Sequence, residues 1–236
     1  WLGVTLHDLA RHDEAIAAMH RAVQLDPLNQ EIHANFKRVR WNLNQREHLH
    51  DSYRAACKDL PNSAEAHMNL AQSVLINGHY AEALVAAQRA VALAPGTARA
   101  QSLLGRAQMA LGNTVQGIEA HQRAHQLASD DPLIAEEFAA ALSLAGSHVR
   151  ACEVLQQAYI LAPRRSAILG RLCIALRELQ DPLLGEVLDY DRFVLSELID
   201  TPAGFRDLAT FNGALHAELK VQHTGANHAL EQSMRG

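Results

Sequence analysis

The chain has 14 histidines among its 236 residues, and these are the first place to look for chemistry. His121 and His125 stand four apart in a stretch of helical periodicity, the spacing at which two imidazoles share one side of a helix and can hold a common zinc ion. His48-Leu49-His50-Asp51 gathers two imidazoles and a carboxylate within four residues. Neither group has a third and fourth ligand suggested nearby. His121 falls in a slot filled in sister segments by Tyr53 and Leu155, so it reads as a packed seam residue. The run from His48 to Asp51 reads as the solvated start of a helix. Cys57, Cys152 and Cys173 are odd in number, scattered, and set at apolar helical positions, which points to reduced core thiols in a reducing compartment. No catalytic residue, cofactor ligand or metal ligand is assigned in this chain.

These residues sit on a strict period. Leu2, Phe36, Leu70, Leu104, Phe138 and Leu172 are each 34 residues apart, as are Ala22, Ala56, Ala90, Ala124 and Ala158. Pro27, Pro61, Pro95 and Pro163 keep the same step, with Ser129 where the missing proline would stand. Repetition at this length means a solenoid. In the copy from Ala64 to Thr97, Met68, Leu70, Ala71, Val74 and Leu75 follow helical spacing. Asn77-Gly78-His79 then breaks the pattern, and Ala83, Leu84, Ala87, Ala90, Val91 and Leu93 resume it up to Pro95. Each unit is therefore predicted to be two antiparallel helices. Ala71, Ala83 and Ala90 let the axes approach, and neither helix can bury its apolar face until the next hairpin stacks on it.

In these residues the chain resembles the tetratricopeptide repeat family. A bulky residue followed by a small one recurs at Leu2-Gly3, Leu70-Ala71, Leu104-Gly105 and Phe138-Ala139. Ala15, Ala83 and Ala151 match the early small position of the second helix. The resemblance implies an all-α, right-handed superhelix over residues 1–181, made of about five repeats plus a sixth helix from Ser166 to about Leu179. The second unit departs most, with Lys37 and Leu49 at the two small positions, and its helices are expected to pack less tightly. The chain also opens at Trp1, inside a first helix, so the natural protein is expected to begin earlier.

Apolar residues make up 48% of the chain, enough to fill helix seams, and no apolar run approaches the roughly 20 residues of a membrane span. Residues 1–180 carry 17 basic and 17 acidic side chains, whereas 181–236 carry 4 and 9. With no basic stripe, nucleic acid is disfavoured as a partner. A cytoplasmic location without membrane association is expected.

The repeat pattern stops at Asp181-Pro182, and 182–236 form a C-terminal extension. Val187 to Val194 reads as a strand, Thr201-Pro202-Ala203-Gly204 as a turn, and Phe205 to about Gln222 as an amphipathic helix with Leu208, Phe211, Leu215 and Leu219 on one face. Leu188-Asp189-Tyr190-Asp191-Arg192-Phe193, the Pro202 to Phe205 turn, Phe211-Asn212 with Leu215, and His228 to Gly236 resemble the opening segment of 2-oxoglutarate and iron(II) dependent oxygenases. That family usually has proline at the place of Ala229 and leucine at that of Met234. The resemblance implies that the extension starts an oxygenase-like domain whose catalytic core, with its iron(II) and 2-oxoglutarate, would lie beyond Gly236 in a longer parent protein. His216-Ala217-Glu218 has the family's histidine-to-acid spacing, but on a helix residues two apart diverge, and it reads as solvated surface. This chain by itself is expected to be inert. The solenoid would then be the recruiting or dimerising arm of the oxygenase; alternatively it is a stand-alone binding module capped by its last residues. The apolar face of helix 205–222 needs cover, from the sixth helix or from a second copy in a homodimer.

The period also places a surface. In the tetratricopeptide family the first helices line the concave face, which gives one row of Trp41, Leu75, Met109 and Ser143 and a second of Arg38, Gln72, Arg106 and Ala140. An apolar strip flanked by guanidinium and amide groups suits an extended peptide or protein segment with hydrophobic and some acidic side chains. The other reading packs Trp41, Leu75 and Met109 between adjacent repeats. Asn35 and Asn69 are present, but the paired lysines of repeats that clamp chaperone C-termini are not.

Overall fold

The 34-residue step takes the form of five helical hairpins: α1 (Leu2–Asp8) with α2 (His12–Leu25), α3 (Gln30–Asn42) with α4 (Asp51–Asp59), α5 (Ala64–Ile76) with α6 (Tyr80–Leu93), α7 (Ala98–Ala110) with α8 (Thr114–Leu127), and α9 (Pro132–Leu144) with α10 (His148–Leu161). α11 (Ser166–Glu178) follows, then a short α12 (Leu183–Val187). The computed structural model describes residues 1–188 and 200–222, and these hold no strand. The chain divides into two compact units, Trp1–Val187 and Leu188–Gly236, so the first continues past the Asp181-Pro182 break.

Side-chain oxygens start several of the first helices. Asn29 accepts from the N–H groups of Glu31 and Ile32 at 3.1 and 3.3 Å, Ser63 from Ala66 at 3.2 Å, and Asp131 from Leu133 and Ile134 at 2.8 and 3.4 Å. Each cap satisfies amide donors that the first turn leaves over. The turns between helices are equally regular. Ala10, Asn44, Gly78, Gly112, Gly146 and Gln180, 34 residues apart, all have φ between 52° and 81°. The next residue donates its N–H to the carbonyl five back, as in Asn113 to Gln108 at 2.9 Å and Ser147 to Leu142 at 2.8 Å. Glycine suits this left-handed position, and Ala10 and Gln180 occupy it at a cost of about 1–2 kcal/mol each.

The hairpins close on matched side-chain sizes. The small position of the first helix and the residue 16 further on are Gly3 and Met19, Lys37 and Tyr53, Ala71 and Ala87, Gly105 and His121, and Ala139 and Leu155, and in the first and fourth hairpins the two stand face to face. A Cβ at Gly3 would lie 2.8 Å from Met19 Cε, and one at Gly105 would lie 2.6 Å from His121 Cδ2. The large partner fills the volume that glycine leaves. Where the first helix has alanine, Ala71 and Ala87 are both fully buried in one core cluster, and Ala139 and Leu155 in another.

At the end of the first unit, Leu183, Leu184 and Val187 of α12 pack on the cluster containing Leu172, Ala175 and Leu176. They supply, in five residues, part of the cover that a second helix gives elsewhere. Val187 thus closes a helix, and the remainder of the strand expected over 187–194 lies, beyond Leu188, outside the described residues. In the second unit α13 spans Leu208–Gln222. It starts three residues later than Phe205 because Asp207 caps it, accepting from the N–H of Thr210 at 2.8 Å. Among the described residues no helix is long and apolar enough to cross a membrane.

The second hairpin differs from the rest. Where α2, α6, α8 and α10 have 14 residues, α4 has 9, preceded by a 3₁₀ turn over Arg46–His48. Lys37 and Leu49 are both buried, and two long side chains at the small positions keep α3 and α4 from the close approach seen in α5 and α6. The run from His48 to Asp51 is correspondingly not the solvated helix start that its polarity suggests. His48 is exposed and holds Asp51 at 2.7 Å, but His50 is 2% exposed. Its slot is apolar in the other hairpins, as Ile16, Leu84, Ile118 and Cys152.

His50 bonds to Ser73 Oγ through Nδ1 at 2.9 Å, while its Nε2 is buried without a partner among the described residues. Burial first, then the charges of Lys37, His79 and Arg54, lower its pKa to about 4, with Glu82 opposing. An unfolded histidine titrates near 6.5, so below that pH the unfolded chain takes up the proton more readily. The cost to the fold is absent above about pH 6.5, grows as the pH falls, and is complete below about pH 4. His50→Leu, the residue of the next hairpin, should raise the stability measured by urea denaturation at pH 4.5 by about 2 kcal/mol more than at pH 7.5. Equal gains at the two pH values would show that His50 does not carry this acid sensitivity.

Candidate functional site

The first helices of successive repeats lie side by side, so residues on their outer turns form rows across the stack. Between α5, α7 and α9 these rows enclose a shallow depression lined by Gln72, Arg99, Ser102, Leu103, Arg106, Leu133 and Glu137, among others. Asn69, on α5, holds the arginine that lines it. Its Oδ1 accepts from Gln30 Nε2 at 3.1 Å and from Arg99 Nη2 at 3.0 Å, which ties α3, α5 and the start of α7 together. Asn69 is buried, and its Nδ2 has no partner among the described residues. Arg99 also donates to Gln72 Oε1 at 2.7 Å. Among the described residues, then, amide oxygens hold the Arg99 guanidinium in place and no carboxylate neutralises it. On the other side of the depression Glu137 accepts from Ser102 Oγ and stands 3.6 Å from Arg106 Nη1. The wall is therefore cationic with amides toward α5, and toward α9 it carries a mixed ion pair and the Asp131 carboxylate.

Of the residues picked out by the period, Gln72 and Arg106 line this depression, and Arg38 is exposed on α3. The apolar row is used differently. Leu75 is 7% exposed within the core of the third and fourth repeats. Met109 is half-buried, with its Cγ 2.7 Å from where a Cβ on Gly117 would stand, so it fills its own hairpin. Trp41 is half-buried beneath the Arg46 guanidinium, 3.3 Å from its ring centre. The depression takes its character instead from Asn69, Arg99, Ser102 and Glu137, which the two rows omit. Their signal is in the sequence: Asn69, Leu103 and Glu137 keep the 34-residue step about one turn before the row of Gln72 and Arg106, and Arg99 and Leu133 keep it about two turns before.

The histidine pair of the fourth repeat is divided between two neighbours. His121 is 2% exposed against Gly105, and burial, assisted by Arg106, lowers its pKa to about 4. The His125 ring lies 5.6 Å from Phe138. Among the described residues no three potential metal ligands come together. Cys57, Cys152 and Cys173 are free thiols. Burial pushes Cys57 up to about 11 and also raises the other two, which keeps them protonated and poorly nucleophilic.

With this geometry in view, the comparisons with known proteins concern the repeats. Two sequence models described as tetratricopeptide repeat match residues 1–27 and 64–97. No curated protein matches the chain. Among solved structures, a thermophilic TPR protein of Thermus thermophilus is similar over 75% of this chain and 96% of its own, with 22% identity and a TM-score of 0.55. The pilF protein of Pseudomonas aeruginosa is similar over 90% and 94%, with 18% identity and a TM-score of 0.57. YrrB, described as a TPR protein with an unusual peptide-binding site, is similar over 86% and 98%, with 17% identity and a TM-score of 0.52. At these identities the likeness concerns the fold.

Proposed function

The chain carries tetratricopeptide repeats, and from that premise we propose that its solenoid is a protein-interaction scaffold that takes an extended peptide across the first helices α5, α7 and α9. One observation carries this reading: among the described residues, Arg99 sits in the depression held only by the amide oxygens of Asn69 and Gln72. A guanidinium with no carboxylate of its own is a standing site for an acidic side chain, since Arg presents several donors in a fixed fork. Gln72 and Ser102 add side-chain polar groups of the kind that a peptide main chain can pair with. Leu133, 45% exposed, offers an apolar contact beside them. The similarity to YrrB, whose description includes a peptide-binding site, is consistent with this use of the fold.

The test is a screen of displayed peptides on the purified chain, followed by titration of the selected sequences. Arg99→Ala should weaken their binding about tenfold, in line with the loss of a charge-assisted hydrogen bond. Arg123→Ala, on the exposed side of α8, should leave it unchanged. If Arg99→Ala has no effect on peptides that bind the solenoid, the depression is not their site.

A second reading joins the solenoid to chemistry. Residues 188–236 resemble in sequence the opening of an iron(II) and 2-oxoglutarate oxygenase, and the solenoid would recruit substrate to, or dimerise, such a domain in a longer parent. Among the described residues no three potential metal ligands come together, so calorimetry of this chain with iron(II) and 2-oxoglutarate should give no tight binding. Succinate formation above background would place the chemistry within these residues.

A further inference from the structure

The last first-helix, α11, breaks three local rules on the same surface. Its cap position holds Arg165, whereas the equivalent residues are Asn29, Ser63, Thr97 and Asp131. Arginine has no oxygen to accept from the first amides, and its charge opposes the positive end of the helix. Mid-helix, Gly170 is exposed, with no heavy atom within 4 Å of where its Cβ would be. Glycine there weakens the helix without admitting a packing partner. Finally, Arg165 and Arg171 converge on one buried carboxylate: Arg165 Nε donates to Glu136 Oε2 at 3.0 Å, and Arg171 Nε to Glu136 Oε1 at 3.2 Å.

Two guanidiniums on one carboxylate leave a unit of positive charge. Each arginine uses Nε only, so its four Nη hydrogens have no partner among the described residues, and both side chains remain about two-fifths exposed. Glu136, whose side chain is 11% exposed, is thus positioned to orient the pair. We propose that Arg165 and Arg171, held by Glu136, form a carboxylate-accepting subsite at the α9–α11 end of the first-helix surface. Its occupant is the side chain of an aspartate or glutamate in an extended peptide. The site rests on the peptide reading above, in which the main chain runs along the first helices and presents side chains to them. Glu137, next to Glu136 and facing Arg106, disfavours an acid in the adjoining depression at that point and sharpens the register.

The test uses three libraries of heptapeptides, selected on the immobilised chain. The first has blocked ends and a fixed central glutamate; the second is the same with glutamine; the third has central glutamine and a free C-terminal carboxylate. The glutamate library should be enriched about tenfold over the glutamine library at low salt, with the preference lost in an Arg165→Gln, Arg171→Gln double variant whose circular dichroism at the working temperature is unchanged. Arginine Nε–H signals in ¹H–¹⁵N spectra should shift on adding a selected glutamate peptide. Equal retention of all three libraries would overturn the subsite while leaving the groove. Preference for the free terminus would overturn the side chain as its source. Retention of none would overturn the peptide reading and the subsite with it.

Discussion

Everything in the first unit depends on how closely two helices approach within each hairpin. The approach is set by complementary volumes at two positions 16 residues apart, and the pairs Gly3–Met19, Ala71–Ala87, Gly105–His121 and Ala139–Leu155 solve the same packing problem with different partitions. Interiors at crystalline density tolerate little error in volume. When both small positions hold long side chains, as with Lys37 and Leu49, helix order gives way: α4 begins late, after a 3₁₀ turn, and a histidine takes an apolar slot. The turns reinforce this spacing, since a left-handed residue recurs at each of six junctions and fixes where the second helix starts.

From that spacing comes the surface of the first helices. A polar side chain on one helix can reach only the helix before and the helix after, and Asn69 does both by accepting from Gln30 and Arg99. Farther along, Glu136 takes two arginines from α11, and Glu137 takes Ser102 and Arg106 from α7. These contacts are spaced by repeat geometry, so chemistry on this face is laid out in steps along the stack. A segment bound there would be read residue by residue, as in other elongated recognition surfaces.

How much of this could be read from the residues differs by level. The hairpins were legible because a 34-residue repeat multiplies weak helical signals, and Leu70, Ala71, Ala83 and Ala90 are buried as their spacing requires. The depression between α5, α7 and α9 is only partly legible. Gln72 and Arg106 line it, but the row of Trp41, Leu75 and Met109 is drawn into packing, because in this fold the same face of a helix turns from surface to seam within one turn. Period alone fixes which residues are equivalent but not whether a register position faces the seam or the surface; side-chain length and the partner on the next helix decide. His50 was misread for the opposite reason. Its polar neighbours suggested solvent, and only comparison with Ile16, Leu84, Ile118 and Cys152 reveals an apolar slot.

The central claim, that each hairpin is closed by matched volumes, is tested most directly by a double-mutant cycle at Gly105 and His121 followed by urea denaturation. Gly105→Ala improves helix propensity by about 1 kcal/mol, but its methyl would meet the imidazole at 2.6 Å, and overpacking of that kind costs about 1–3 kcal/mol. His121→Ala alone opens a cavity beside glycine. The double variant recreates the Ala71–Ala87 pair of the third repeat. It should be more stable than the sum of the single changes predicts by at least about 1 kcal/mol. Additivity within about 0.5 kcal/mol would mean that the two positions are independent and would contradict the account.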